Sequence, residues 1–347
     1  MVIHSTRTWL KAKGLPAGNP NGQAFHREGN LSEHETGFFR LAETDKKLGL
    51  HWKSGSLKYR DFEVLREGGV AKLYSCFDEN LGREVVYKTL HDHLADDEIE
   101  TQRFLREARV TANIAHPGTV PVYELGRDRN GSLFFTMKRV RGRDLREIIL
   151  ALKKGDSRTG KAFPLTVLLE ILIQVCRTLS HTHSRGVIHR DLKPANILTG
   201  EFGATYVIDW GLAKVWGEAD PYEQKTIGKA DPSLTPPGRR YGTPLYMSPE
   251  LARGQAHVDG RADVFGLGHI LFEVLTHRPL LSGKDTTEVM DKLLNNPFPK
   301  PSETAPEKNI ASELERICLK ALEKNRRNRY QTVEDLMKDL MGFLAGG

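Results

Sequence analysis

Eight consecutive residues, His189 to Asn196 (HRDLKPAN), set a carboxylate (Asp191), an ammonium (Lys193) and a carboxamide (Asn196) within six positions. Thirteen residues further on, Asp209 stands in the run Ile208-Asp209-Trp210-Gly211. A carboxylate to accept a hydroxyl proton, a cation to neutralise a moving phosphoryl group and two oxygen ligands for a divalent metal are the groups that in-line phosphoryl transfer from a magnesium nucleotide requires. Upstream, Lys88 ends the run Val85-Val86-Tyr87-Lys88, and Glu107 follows nineteen residues later. Phe104, Thr111 and Ile114 lie at i−3, i+4 and i+7 from Glu107. An inward helical face would therefore turn that carboxylate toward the strands, where a buried glutamate needs a cation and Lys88 is the natural one.

Holding these groups together calls for strands first and helices after. Phe62–Leu65, Lys72–Phe77 and Glu84–Lys88 read as three short strands, with Asn80-Leu81-Gly82 at the second turn. A helix is expected over about Asp97–Ala115. Two more strands are expected over Val120–Leu125 and Leu133–Val140, joined at Arg129-Asn130-Gly131. From Leu145 onward helical periodicity dominates, over Leu165–Arg185, Ala262–Thr276, Thr286–Leu294, Ser312–Glu323 and Val333–Leu344.

The segment His189–Asn196 closely resembles the catalytic loop of Ser/Thr protein kinases. The resemblance runs from about Tyr59 to Leu344 and looks nearest to the bacterial eukaryotic-like subgroup, on Arg103–Ala108, His116-Pro117, Gly242-Thr243-Pro244 and Tyr246–Glu250. It implies an α+β, two-lobed fold: a five-stranded antiparallel small lobe with one helix (59–140) and a helical large lobe (141–345), after an extension over 1–58. It implies ATP and Mg²⁺ as cofactors. Asp191 would orient the acceptor hydroxyl, Lys193 would neutralise the phosphoryl group, and Asn196 and Asp209 would hold the metal. Lys88, paired with Glu107, would grip the α- and β-phosphates. Leu73 and Val86 above the adenine ring and Leu198 below it, with Met137 as gatekeeper and Val140 in the hinge, would form the nucleotide slot together with Leu65, Gly68 and Gly69. Arg190 would read phosphorylation of the activation segment, where Thr226, Ser233 and Thr235 are candidates. Thr243 would sit beside Asp191 and Lys193. His189, Glu250, Arg329 and Asp263 take structural places.

The glycine-rich loop departs from the family pattern. In Arg66-Glu67-Gly68-Gly69-Val70-Ala71 only Gly68 keeps a family glycine; Gly69 is extra, Arg66 stands at the first position and Ala71 at the third. Val86 replaces the usual alanine and Trp210 the usual phenylalanine. The Trp210 exchange keeps a large apolar plug beside His189 and is expected to be tolerated, whereas Arg66, Ala71 and Val86 support an alternative reading, a pseudokinase or nucleotide-binding signalling scaffold.

Composition narrows the setting. The chain has 347 residues and a formal charge of +6, with nine Lys/Arg against five Asp/Glu in residues 1–58. The near-neutral remainder argues against nucleic acid as a partner. Three scattered cysteines suit a reducing cytosol. Neither a signal peptide nor a membrane anchor is read in this chain. In residues 1–58 a capping pattern at Ser32 and Glu35 opens a short expected helix through Lys47. The resemblance implies protein substrates with Ser/Thr acceptors and is compatible with a transient homodimer for autophosphorylation.

Overall fold

A computed structural model describes residues 53–215, 244–255 and 257–346. The helix expected over 32–47 and the hydroxyls of Thr226, Ser233, Thr235 and Thr243 lie outside the described residues. Strands β1 (Tyr59–Glu67), β2 (Ala71–Asp78), β3 (Arg83–Leu90), β4 (Val122–Arg127) and β5 (Leu133–Lys138) form one antiparallel sheet in the order β1-β2-β3-β5-β4. Gly82 (φ 63°) and Gly131 (φ 85°) take the left-handed backbone that two of its turns need.

Each face of this sheet carries an apolar cluster. Strand alternation sends Val85 and Tyr87 to one side, where they pack with Tyr59, Cys76 and Phe134, and Tyr87 stacks on Phe134 with centroids 4.5 Å apart. On the other side Ala71, Leu90 and Phe135 meet Phe104 and Ala108 of helix α1 (Glu98–Asn113). Asp97 caps α1 by accepting from the backbone N–H groups of Ile99 and Glu100.

The large lobe is built on α2 (Leu145–Lys153), α3 (Ser157–Ala162), α4 (Leu165–Ser184), α5 (Arg261–Thr276), α6 (Thr286–Asn295), α7 (Ser312–Ala321) and α8 (Val333–Gly346). Every residue of α5 from Ala262 to Thr276 is buried, so this helix is the spine on which the lobe packs. Short strands β6 (Gly142–Asp144), β7 (Val187–Ile188), β8 (Ile197–Gly200), β9 (Thr205–Val207) and β10 (Lys214–Val215) form a β6-β8-β9 sheet and a β7-β10 pair. No helix among the described residues is long and apolar enough to cross a membrane.

The main differences from the sequence expectations are α2, α3 and the five short strands. Helix α3 is held by its Asp156 cap, and strands of two to four residues are too short to show an alternating pattern. The first strand extends beyond Phe62–Leu65 at both ends, through two irregularities in its pairing with β2.

One buried group in α5 carries a pH signature. His269 is fully buried, and neither ring nitrogen has a hydrogen-bond partner among the described residues. Burial pushes its imidazole down to about 3. The unfolded chain takes up a proton there near the ordinary histidine value and the folded chain does not, so this group removes stability as pH falls from about 6.5 toward 3. His269→Leu is expected to raise stability by about 1–3 kcal/mol at pH 7 and to flatten the acid limb of a urea-unfolding series. An unchanged acid limb would contradict this assignment.

Candidate active site

Of the side chains singled out in the sequence, Lys88, Glu107, Asp191, Lys193 and Asp209 stand within bonding or electrostatic reach of a neighbour in the set. The alternation that buries Tyr87 puts Val86 and Lys88 on the opposite face, toward α1. Lys88 Nζ donates to both carboxylate oxygens of Glu107, at 2.5 and 2.6 Å. Burial works against the lysine's charge, but Glu107 and Asp209 outweigh it and hold its pKa above the ordinary value. Burial raises the Glu107 carboxyl, opposed by Lys88.

Asp191, Lys193 and Asn196 form the second group. Lys193 Nζ lies 2.5 Å from Asp191 Oδ2, and Asn196 Nδ2 donates to the Asp191 carbonyl at 2.9 Å. With the Asn196 nitrogen engaged, its amide oxygen remains for a cation. Asp209 is the third element. Burial alone would raise its carboxyl, but Lys88, Lys193 and His189 together hold it below the usual aspartate value. A Cβ built on Gly211 would lie 3.6 Å from Asp209 Oδ1 and 3.7 Å from Glu107 Oε2, so both carboxylates border one small space that glycine leaves open.

The backbone around these groups is strained and braced. Arg190 and Asp209 both adopt φ 67°, unusual for side-chain-bearing residues. The buried carboxylate of Asp263 accepts from the backbone N–H groups of His189 and Arg190, each at 2.9 Å, and lies 2.8 Å from His183 Nε2. His189 Nε2 lies 3.1 Å from the Ile208 carbonyl oxygen, and its ring meets that of fully buried Trp210 at 4.6 Å. His189 thus joins the Asp191 turn to the strand leading to Asp209. Trp210 fills the place expected of a large apolar plug.

The residues expected to line a nucleotide slot lie on β1, β2, β3, β5 and β8 and just beyond β5. Val86 pairs with Met137 across β3 and β5, and Leu73 pairs with Lys88 across β2 and β3. Leu65 is about half exposed near the end of β1. Leu198 lies on β8 opposite Tyr206. Val140 sits close enough to β8 that a Cβ on Gly200 would meet its Cγ1 at 3.2 Å. Among the described residues no three His, Cys, Asp or Glu side chains cluster as a metal cage. Asn196 and Asp209 would instead supply two hard oxygens to a cation that takes the rest from phosphates and water, which fits Mg²⁺.

The protein kinase domain model matches residues 59–341. The chain belongs to the protein kinase family. Similar proteins include bacterial serine/threonine-protein kinases. The chain is 32% identical over 296 residues to the serine/threonine-protein kinase PknD of Chlamydia pneumoniae, covering 83% of this chain and 31% of that one. It is 33% identical over 307 residues to the serine/threonine-protein kinase pkn3 of Myxococcus xanthus, covering 87% of this chain and 52% of that one. A probable serine/threonine-protein kinase of Streptomyces coelicolor shares 33% over 307 residues, 88% of this chain and 41% of its own. The chain thus spans about a third to a half of the length of these relatives.

The glycine-rich hairpin is well formed despite its sequence. Gly68 N–H donates to the Ala71 carbonyl at 3.0 Å, and Glu67 pairs with Lys72 at 2.9 Å across the turn. His91, which sequence reasoning overlooked, ties the hairpin to the end of β3: its Nε2 lies 2.7 Å from the Gly68 carbonyl oxygen, and its N–H donates to Val70. No pattern in the sequence marked that histidine, because the contact depends on where β3 ends. Arg66 lies in ordinary register opposite Leu73 and is exposed. Neither Gly68 nor Gly69 has a left-handed backbone, and a Cβ on either would meet nothing closer than 3.4 Å. Arg66→Gly is therefore expected to change the KM for ATP by no more than about threefold, the scale of an ordinary surface substitution. A tenfold fall in KM in steady-state assays would show that Arg66 obstructs the nucleotide.

Proposed function

We propose that the chain is an active Ser/Thr protein kinase that transfers the γ-phosphate of ATP to protein hydroxyls. In this reading Asp191 accepts the hydrogen bond of the acceptor hydroxyl and aims it, and Lys193 stands where it can neutralise the transferring group. Asn196 and Asp209 hold Mg²⁺, which supplies charge stabilisation to the phosphates when bound. Lys88, fixed by Glu107, binds the α- and β-phosphates, and Leu65, Gly68, Gly69, Leu73, Val86, Met137, Val140 and Leu198 enclose the nucleotide. The observation that carries the reading is that buried Asp209 lies within electrostatic reach of both Lys88, which is bonded to Glu107, and Lys193, which is bonded to Asp191.

Residues 59–345 form the catalytic domain in this reading, and 1–58 an extension. Arg190 reads phosphorylation at Thr226, Ser233 or Thr235, Thr243 lies beside the acceptor, and a transient homodimer of a cytoplasmic protein performs the modification. Calorimetric titration with ATP, with and without Mg²⁺, tests the cofactor assignment. The parent is expected to bind ATP more tightly with Mg²⁺, and Asp209→Asn to lose most of that difference while still binding the nucleotide. A variant that keeps the full Mg²⁺ effect would remove Asp209 from the metal site.

A further inference from the structure

One peptide in the glycine-rich hairpin is oriented by a side chain from outside it. The Gly68 carbonyl oxygen lies 2.7 Å from His91 Nε2. A carbonyl only accepts, so that ring nitrogen carries the proton and donates. The backbone N–H of His91 donates to the Val70 carbonyl at 3.1 Å, and the Gly68 N–H donates to the Ala71 carbonyl at 3.0 Å. The His91 ring is in turn stacked on His93, with centroids 5.3 Å apart. His91, just past the end of β3, thus holds the carbonyls on both sides of Gly69.

A trans peptide sets its C=O and N–H on opposite sides. With the Gly68 carbonyl held toward His91, the N–H of Gly69 points away from the ring, and it has no hydrogen-bond partner among the described residues. A peptide between two glycines is the easiest kind to turn over. The flip reverses the N–H and carries the second residue to positive φ, which glycine accepts and side-chain-bearing residues resist. Packing does not prevent it at Gly69, where a Cβ would meet nothing within 4 Å. Among the described residues the His91 ring is the one group that holds the Gly68 carbonyl.

We propose that His91 is a positioning residue for the nucleotide: it locks the Gly68–Gly69 peptide so that the Gly69 N–H is aimed at a phosphate of ATP. The role rests on the kinase reading above, in which Gly68 and Gly69 enclose the nucleotide. An unpaired N–H in a turn attracts a phosphate oxygen, and an N–H already aimed there loses no freedom when the oxygen arrives. Without the His91 ring, part of the population turns this N–H away, and ATP binds less tightly by that fraction.

ATP and adenosine should be titrated calorimetrically, with Mg²⁺, into the full chain and into His91→Ala, His91→Gln and His91→Asn. His91→Ala is expected to weaken ATP about three- to tenfold, the range of one hydrogen bond, and to leave adenosine affinity and Tm unchanged. In steady-state assays the loss should appear in the KM for ATP and not in kcat. Glutamine can place its amide nitrogen where Nε2 stands and should restore ATP binding; asparagine, one carbon shorter, should not. When Gly69 is also replaced, Gly69→Ala resists the flipped backbone, so the further loss caused by His91→Ala should shrink. Equal weakening of ATP and adenosine, no recovery with glutamine, or an undiminished loss beside Gly69→Ala would each overturn the inference. The binding comparisons require no phosphate transfer, so a failure here in an active enzyme leaves the kinase reading standing.

Discussion

Asp191→Asn is expected to slow phosphate transfer by about 10²–10⁴-fold, the range a positioned proton acceptor contributes, with little change in ATP affinity. Asp191 is almost fully buried and spends one oxygen on Lys193 at 2.5 Å. An amide at this position keeps the size but loses the charge that holds Lys193 and accepts the hydroxyl proton. The brace on the turn comes from Asp263 through the backbone of His189 and Arg190, not from the Asp191 side chain, so the variant should fold. Single-turnover measurement at saturating ATP separates the two effects. A loss appearing only as a raised KM for ATP would mean that Asp191 serves nucleotide binding instead.

Arg329→Met is expected to cost about 3–5 kcal/mol of stability, because it strands a buried carboxylate. Arg329 is 2% exposed and uses all three guanidinium nitrogens. Nη1 donates to Glu250 Oε1 at 2.8 Å and to the Arg261 carbonyl, Nη2 to Glu250 Oε2 at 3.0 Å and to the Lys324 carbonyl, and Nε to the Glu323 carbonyl. One side chain thus ties the segment after the activation region to the start of α5 and to the loop before α8. The expected fall in Tm is roughly 10 °C. Replacing Glu250 by Met in the same chain should recover part of it, because the uncompensated charge is then removed. A single-variant loss below about 1 kcal/mol would mean that water reaches the Glu250 carboxylate, contrary to its 3% exposure.

The chemical groups were legible in the sequence because each is a residue type at a fixed spacing on a short, stiff piece of backbone. Asp191, Lys193 and Asn196 lie on one loop, so their meeting is nearly a local property. Lys88 and Glu107 are nineteen residues apart, and the inference there needed strand alternation and helical periodicity together; Phe104, Ala108 and Thr111 are buried on the face that reasoning selected. What escaped depended on tertiary placement. The bond of His91 to Gly68 and that of His183 to Asp263 join elements whose ends periodicity cannot place. The irregularity of the glycine-rich loop also carried less weight than its sequence suggested. Its hairpin closes with ordinary backbone angles at Gly68 and Gly69.

The most direct measurement is phosphate incorporation from labelled ATP with Mg²⁺, using the parent alone and with a generic basic protein substrate, beside Asp191→Asn and Asp209→Asn. The parent should incorporate label on Ser or Thr, and both variants should lose it while keeping the parent's Tm within a few degrees. A folded parent that binds ATP and Mg²⁺ but incorporates nothing, or a Asp191→Asn variant that incorporates as much as the parent, would contradict the assignment of these groups to phosphate transfer.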